Sequence, residues 1–255
     1  MRFAFLGSGS QGNGLVVEAG DTRLLLDCGF GLAATVSRLA RHGLLPEDLT
    51  GIVVTHEHED HIGGVARLAR RHDIPVWLTP GTFSGFEELF AGVADVRMIR
   101  NYEVFAIGDI EVLPFPVPHD AREPAQYVFG DGARRLGVLT DVGCSTRHIE
   151  SMLSGCDALV LECNHDAEML RVSAYPPRLR ERIASRHGHL DNDAAAQLLG
   201  RLDNSRLQHL VAAHLSQENN RVELARTALS AALNCEPGWI AVADQDDGLA
   251  WRQIA

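Results

Sequence analysis

His56, His58, Asp60 and His61 fall within six consecutive residues of the stretch THEHEDHIGG (Thr55–Gly64), directly after the apolar run GIVV. Imidazoles and a carboxylate crowded in this way suit borderline divalent ions such as Zn²⁺, Mn²⁺ or Fe²⁺. On a strand-to-helix loop, His56 and His58 at alternate positions turn the same way, while Asp60 and His61 swing toward a second centre. Gly63 and Gly64 let the backbone turn tightly beneath them. The competing reading of the stretch is a solvated polar loop.

Four side chains do not satisfy two ions, so a metal site requires further donors at strand ends later in the chain. His119 follows IEVLPFPVP, Asp141 follows RLGVLT and His214 follows HLVAA, while Asp27 closes TRLLL. His42, His72, His148, His187 and His209 stand in helical or turn-like, Arg-rich contexts and are expected at the surface.

The elements that must position these residues are readable from periodicity. Strand-like runs occur at Arg2–Leu6, Leu15–Glu18, Arg23–Asp27, Gly51–Thr55, Val76–Leu78, Val96–Ile99, Glu111–Phe115, Gln126–Phe129, Leu136–Thr140, Ala158–Glu162, His209–Ala213 and Trp239–Val242. Helical patterns occupy Leu32–Arg41, Val65–Arg71, Thr146–Leu153, Pro177–Ser185, Asn192–Leu202 and Arg221–Leu233. Strands first come in pairs joined by turns (Ala19–Asp21, Gly130–Gly132) and then alternate with helices. The mixture predicts an α/β (α+β) chain with two sheets and helices outside them, rather than a doubly wound parallel sheet.

Composition sets the remaining bounds. With 255 residues, 45% hydrophobic and 22% charged, the chain is ordinary globular protein, and residues 1–255 are expected to form a single domain. No apolar run approaches the ~20 residues that span a bilayer, and MRFAFL is cut off by GSGSQGNG too early for a signal peptide. A cytoplasmic protein without membrane contact is therefore expected. The five cysteines are odd in number and lack any CxxC pair, so reduced, mostly buried thiols are expected. The formal net charge of −11 excludes a protein that grips nucleic acid through bulk electrostatics. A polyanionic substrate would be held locally, by metal and a few arginines.

In their order, Asp27, the HxHxDH cluster, His119, Asp141 and His214 resemble the motifs of the metallo-β-lactamase fold superfamily. The resemblance implies a four-layer αββα sandwich. Local motifs narrow it to the YycJ/VicX (WalJ)-like exonuclease branch, related to tRNase Z and the β-CASP nucleases. They are LGSGSQGN (Leu6–Asn13), PHDAREP (Pro118–Pro124), LTDVG (Leu139–Gly143), ECNHD (Glu162–Asp166), GHLDN (Gly188–Asn192) and HLSQENN (His214–Asn220). Each is weak alone; six in order are specific. The chain has no room for a β-CASP domain and no insertion like the tRNA-clasping arm of tRNase Z, which counts against tRNA 3′ processing.

The resemblance also implies roles. His56, His58 and His119 would hold one metal, Asp60, His61 and His214 the other, with Asp141 between them and two Zn or Mn ions, or Fe, as cofactors. Asp60 is both ligand and catalytic candidate. Asp27 would hydrogen-bond a ligand imidazole. His189 in GHLDN and then His165 in ECNHD are candidates to protonate the leaving group, with Glu162 orienting one of them. LGSGSQGN is placed at the rim of the site, so Ser8, Ser10 and Asn13 are candidate substrate contacts. It is neither a Walker loop nor a GxGxxG.

The activity implied is dinuclear metal-dependent phosphodiester hydrolysis by a nuclease, 5′–3′ exonuclease-like and favouring DNA over RNA, with no obligate protein partner inferred. A small-molecule metallo-hydrolase of the same fold, acting on a cyclic or small phosphodiester, a thioester or a lactone, is the alternative. A flavodiiron-type redox protein would carry glutamate where His58 stands, and a non-enzymatic relative would have lost ligands.

Overall fold

Strands β1 (Arg2–Gly7), β2 (Gly14–Ala19) and β3 (Thr22–Leu26) form an antiparallel meander in the computed structural model, which describes residues 1–255. β4 (Gly51–Val53), β5 (Val76–Leu78) and β6 (Val96–Met98) extend it in parallel, and β14 (Leu249–Gln253) closes the other edge against β1. The second sheet repeats this plan. β7 (Phe105–Ile107), β8 (Ile110–Pro116), β9 (Ala125–Gly130) and β10 (Arg135–Leu139) are antiparallel, while β11 (Ala158–Glu162), β12 (His209–Ala213) and β13 (Ala241–Val242) run parallel to β10.

Parallel neighbours need crossovers, and the crossovers carry the helices. α1 (Leu32–Arg41), α2 (Glu59–Ile62), α3 (Val65–His72) and α4 (Pro80–Phe83) belong to the first half. α5 (Arg147–Leu153), α6 (Ala167–Val172), α7 (Pro177–Ile183), α8 (Asn192–Leu199) and α9 (Val222–Leu233) belong to the second.

Period-2 alternation divides the apolar residues into layers. Leu24, Leu26 and Val53 face Val112, Tyr127, Val138 and Val160 in a core between the sheets. Their chain neighbours Leu25, Ile52 and Val54 point the other way, onto Leu39 of α1 and Val65 and Leu68 of α3. On the far side, Leu139, Leu159 and Leu161 pack on Ile149 of α5, Leu198 of α8 and Leu229 of α9. The result is the expected four-layer αββα sandwich.

This topology gathers the chemistry. β3 and β4 are parallel, as are β10, β11 and β12, and β8 runs the same way as β10 because each is antiparallel to β9. The carboxyl ends of these strands release Asp27, the Thr55–His61 loop, His119, Asp141, Glu162 and His214 at one edge of the sandwich. Open sheets place ligands at this edge.

The structure departs from the sequence reading in several places. The run Gly51–Thr55 stops pairing at Val53 because the Thr55 N–H is taken by the Asp27 carboxylate, 2.8 Å away. The pattern Asn192–Leu202 ends at Leu199, ahead of Gly200, and Pro237–Trp239 forms one 3₁₀ turn before the two-residue β13. β7, with three residues, and α6, with six, are too short to show a period, and β14 is an edge strand that pairs with β1. Of the five histidines expected at the surface, only His187 is exposed; the others are half-buried, with His42 packed edge-on against Trp251 and His148 against Tyr102. Cys28, Cys156 and Cys163 are buried and all five thiols are free.

Candidate metal centre

At the end of β3, Asp27 takes a left-handed backbone conformation (φ 61°) that turns its carboxylate back under the loop following β4. Oδ1 accepts the Thr55 N–H at 2.8 Å, and Oδ2 accepts the Thr55 hydroxyl at 2.9 Å and His61 Nδ1–H at 2.8 Å. Because the Thr55 hydroxyl spends its proton on Asp27, it can only accept from His56 Nδ1, 2.9 Å away. In the neutral form of both imidazoles Nδ1 carries the proton and Nε2 is left as the free nitrogen. His56 Nε2 is buried without a hydrogen-bond partner.

Opposite elements complete the cluster. His119 Nδ1 donates to the Gly188 carbonyl at 3.1 Å, leaving Nε2 3.2 Å from His58 Nδ1. Two imidazole nitrogens that both need a partner and face each other at this distance suit a shared cation better than one another. Asp141 (φ 52°) and His214 (φ 55°) repeat the left-handed turn of Asp27 at the ends of β10 and β12. Single residues of this kind cost on the order of 1–3 kcal/mol and cluster at functional sites. Asp141 Oδ2, like His56 Nε2, is buried without a hydrogen-bond partner, although His61 Nε2 lies 3.1 Å away.

The donor atoms fall into four overlapping groups, the atoms of each within 4.8 Å of one another: His56, His58 and His119; Asp60, His61 and His214; His56, His61 and Asp141 between them; and Asp141 and His214 with Glu162 and His189. Nitrogen and carboxylate donors with orphaned buried atoms fit divalent metal. The seven residues expected as ligands are therefore brought together in this arrangement.

Glu162 underlies the second half of the cluster. It is fully buried, yet its oxygens accept the N–H groups of Asp141 and Val142, both at 3.1 Å, and of Leu190 at 3.0 Å. Oε1 also receives His189 Nδ1–H at 2.8 Å and lies 3.3 Å from His214 Nδ1. Burial opposes charge on His214, but Asp141, Asp60 and Glu162 outweigh it and push the imidazole up to about 10. At His189 burial is likewise overcome by Glu162, and the imidazolium is favoured. At His56 burial and the neighbouring imidazoles hold the ring neutral, the form a ligand needs.

The cluster opens into a cavity of about 380 Å³, lined on one side by His58, Asp60, Asp141, His189 and His214 and on the other by Tyr175, Leu179, Arg182 and Ile183 of the α7 segment. Ser10 is exposed at its rim. Ser8 and Asn13 are not free for substrate: Ser8 Oγ accepts the His214 N–H at 2.9 Å, and Asn13 Nδ2 lies 3.1 Å from His61 Nε2. His165 is not brought to the cluster. Its Nδ1 turns to Asn164 Oδ1 at 3.3 Å, and it lines a different cavity on the other face of α7. Glu162 orients His189, and contacts no open space itself.

Sequence reasoning missed Thr55, which sets the His56 tautomer, and Asp120, whose Oδ1 lies 3.5 Å from His119 Nε2. Each is the chain neighbour of a proposed ligand, which was the available signal. The α7 wall carried no motif to find it by.

An αββα sandwich with imidazoles and carboxylates converging at its strand ends defines a metallo-hydrolase fold class. Residues 22–214 match the beta-lactamase superfamily domain, and the chain belongs to that family. It is 40% identical over 235 residues to the exodeoxyribonuclease YycJ of Bacillus anthracis, covering 91% of this chain and 89% of that protein. The exodeoxyribonuclease WalJ of Streptococcus pneumoniae is 35% identical over 232 residues, 89% of this chain and 86% of its own. Among solved structures, the metallo-beta-lactamase fold protein YhfI of Bacillus subtilis superposes with a TM-score of 0.77, covering 99% of both chains at 16% identity. No helix is long and apolar enough to cross a membrane.

Proposed function

We propose that this chain is a dinuclear metal-dependent phosphodiesterase that acts as a DNA exonuclease with 5′–3′ polarity. The observation that carries the reading is the pairing of two ligand groups around Asp141 with an imidazole, His189, held beside them by a buried carboxylate. The exodeoxyribonuclease names of relatives that align over nearly all of the chain support the same substrate.

In this reading His56, His58 and His119 would hold one ion and Asp60, His61 and His214 the other, with Asp141 between the two groups; the donors suit Zn or Mn, and also accept Fe. When bound, such a pair supplies Lewis acidity and activates water near neutral pH. The chain's own residues do the rest. Asp27 and Thr55 hold the His56 and His61 rings in register, and the Gly188 carbonyl holds His119. Glu162 takes the His189 Nδ1 proton and raises the affinity of the ring for a second one, so that Nε2–H would be the proton offered to the departing alkoxide. Ser10 contacts substrate at the rim.

The test is activity of Mn²⁺- or Zn²⁺-reconstituted protein on end-labelled single- and double-stranded DNA and RNA, with bis-p-nitrophenyl phosphate, a thioester and nitrocefin in parallel. Release of nucleotides from DNA is expected. Turnover of the thioester or nitrocefin alone would favour the small-molecule hydrolase instead, for which the acidic net charge of −11 is the favouring observation.

A further inference from the structure

All 23 cations of this chain are arginine, and they are outnumbered by 34 acids. Against that background, residues 171–187 carry five arginines, Arg171, Arg178, Arg180, Arg182 and Arg186, and a single acid, Glu181. The segment holds α7, in which no residue is buried. Leu179, Arg182 and Ile183 face the cavity of the metal cluster, while Pro177, Arg180, Glu181 and Ala184 face a second cavity of about 400 Å³. A helix with open space on two sides contributes little to the core.

Its charges are unequally committed. Arg171 is paired with Glu168 at 2.5 Å, and Arg182 with Asp120 at 2.5 Å, which ties α7 across the mouth of the cavity. Arg180 bonds only the Arg171 carbonyl. Arg178 and Arg186 are exposed, and neither forms an ion pair or a side-chain hydrogen bond. Beside them, Tyr175 presents an aromatic ring in the wall of the cavity.

We propose that residues 171–187 form the surface that grips the phosphodiester backbone of single-stranded DNA as its end enters the metal cluster, with Arg178 and Arg186 on flanking phosphates and Tyr175 stacking an unpaired base. This rests on the phosphodiesterase reading above. Arginine forks match phosphate oxygens, and an aromatic ring beside a basic track is the general means of holding a single strand without sequence preference. A duplex offers no unstacked base to Tyr175, which is why the single strand is the occupant. The local excess of positive charge resolves how an acidic protein would hold a polyanion.

The experiment is fluorescence-anisotropy titration of the metal-loaded full chain with a phosphorothioate-linked single strand of about a dozen nucleotides, repeated over a range of salt, since each phosphate neutralised adds about 0.7 to the log–log salt slope. Arg178→Ala/Arg186→Ala is compared with Arg67→Ala/Arg71→Ala, two exposed, unpaired arginines on α3. The α7 variant is expected to bind about tenfold more weakly and to lose about 1.4 from the slope, with the α3 variant unchanged. Equal slopes in the α7 variant and the parent, or an equal loss in both variants, would overturn the assignment. Thermal unfolding of each variant guards against loss of fold. Cleavage of ordinary DNA by the parent protein reports separately on the phosphodiesterase reading.

Discussion

Asp27 Oδ2 stands 2.8 Å from His61 Nδ1, and the same carboxylate fixes Thr55, which in turn fixes His56. One buried acid therefore sets the tautomer of one proposed ligand of each ion. Removing it frees two rings at once. Asp27→Ala is expected to weaken metal binding by about 10–100-fold. Competition against a chromophoric chelator reads this directly, and unchanged affinity would show that the rings are held by other means.

His189 and His165 were both candidates to protonate the leaving group, and only His189 borders the metal cluster. His189→Ala is expected to lower kcat on DNA by about 10²–10⁴-fold while metal content, measured by elemental analysis, stays at the parent level. His165→Ala should cost much less. A larger loss at His165 would reverse the assignment.

Tyr127 is fully buried between the sheets, and its hydroxyl donates to the Val54 carbonyl at 2.6 Å, two residues before His56. Tyr127→Phe leaves that carbonyl unpaired in the core, at a cost of about 1–3 kcal/mol. Urea denaturation should show a lower midpoint with an unchanged slope. A change below the error of the fit would mean that water replaces the phenol.

Glu18 lies between Arg2 at 2.7 Å and Arg23 at 2.8 Å. Burial raises its pKa, but the two guanidinium groups outweigh burial and hold it below the ordinary carboxylate range. A depressed folded pKa contributes stability that is present above the unfolded value, about 4.3, and is lost as pH falls through the folded one. Glu18→Gln should therefore destabilise the protein at neutral pH and lessen the difference as pH drops below about 4. Parallel melting curves from pH 7 to acid, with a constant offset, would contradict the pairing.

Much of this site was legible because its residue types are costly to bury without purpose. The HxHxDH run and the strand-end His119, Asp141 and His214 are visible as polar groups closing apolar runs. What was not legible is backbone conformation: Asp27, Asp141 and His214 each leave their strand with positive φ, and nothing in TRLLLD, RLGVLTD or HLVAAH announces it. Roles set by long-range contact were legible only in part. The family resemblance gave Glu162 the task of orienting His189 or His165 without telling which, and that Ser8 would meet the His214 backbone across 206 residues rather than substrate had no local signal. β14 escaped for a different reason. LAWRQ is an edge strand whose pairing is with β1, at the far end of the chain.

The most direct measurement is nucleotide release from 5′- and 3′-labelled DNA by Mn²⁺-loaded protein, set beside Asp141→Ala prepared identically. The account predicts stepwise loss from the 5′ end that chelation abolishes and that Asp141→Ala reduces to background, because the carboxylate that lies with His56 of one ligand group and His61 of the other is gone. DNA left intact by the metal-loaded parent, or degradation that survives Asp141→Ala, would contradict it.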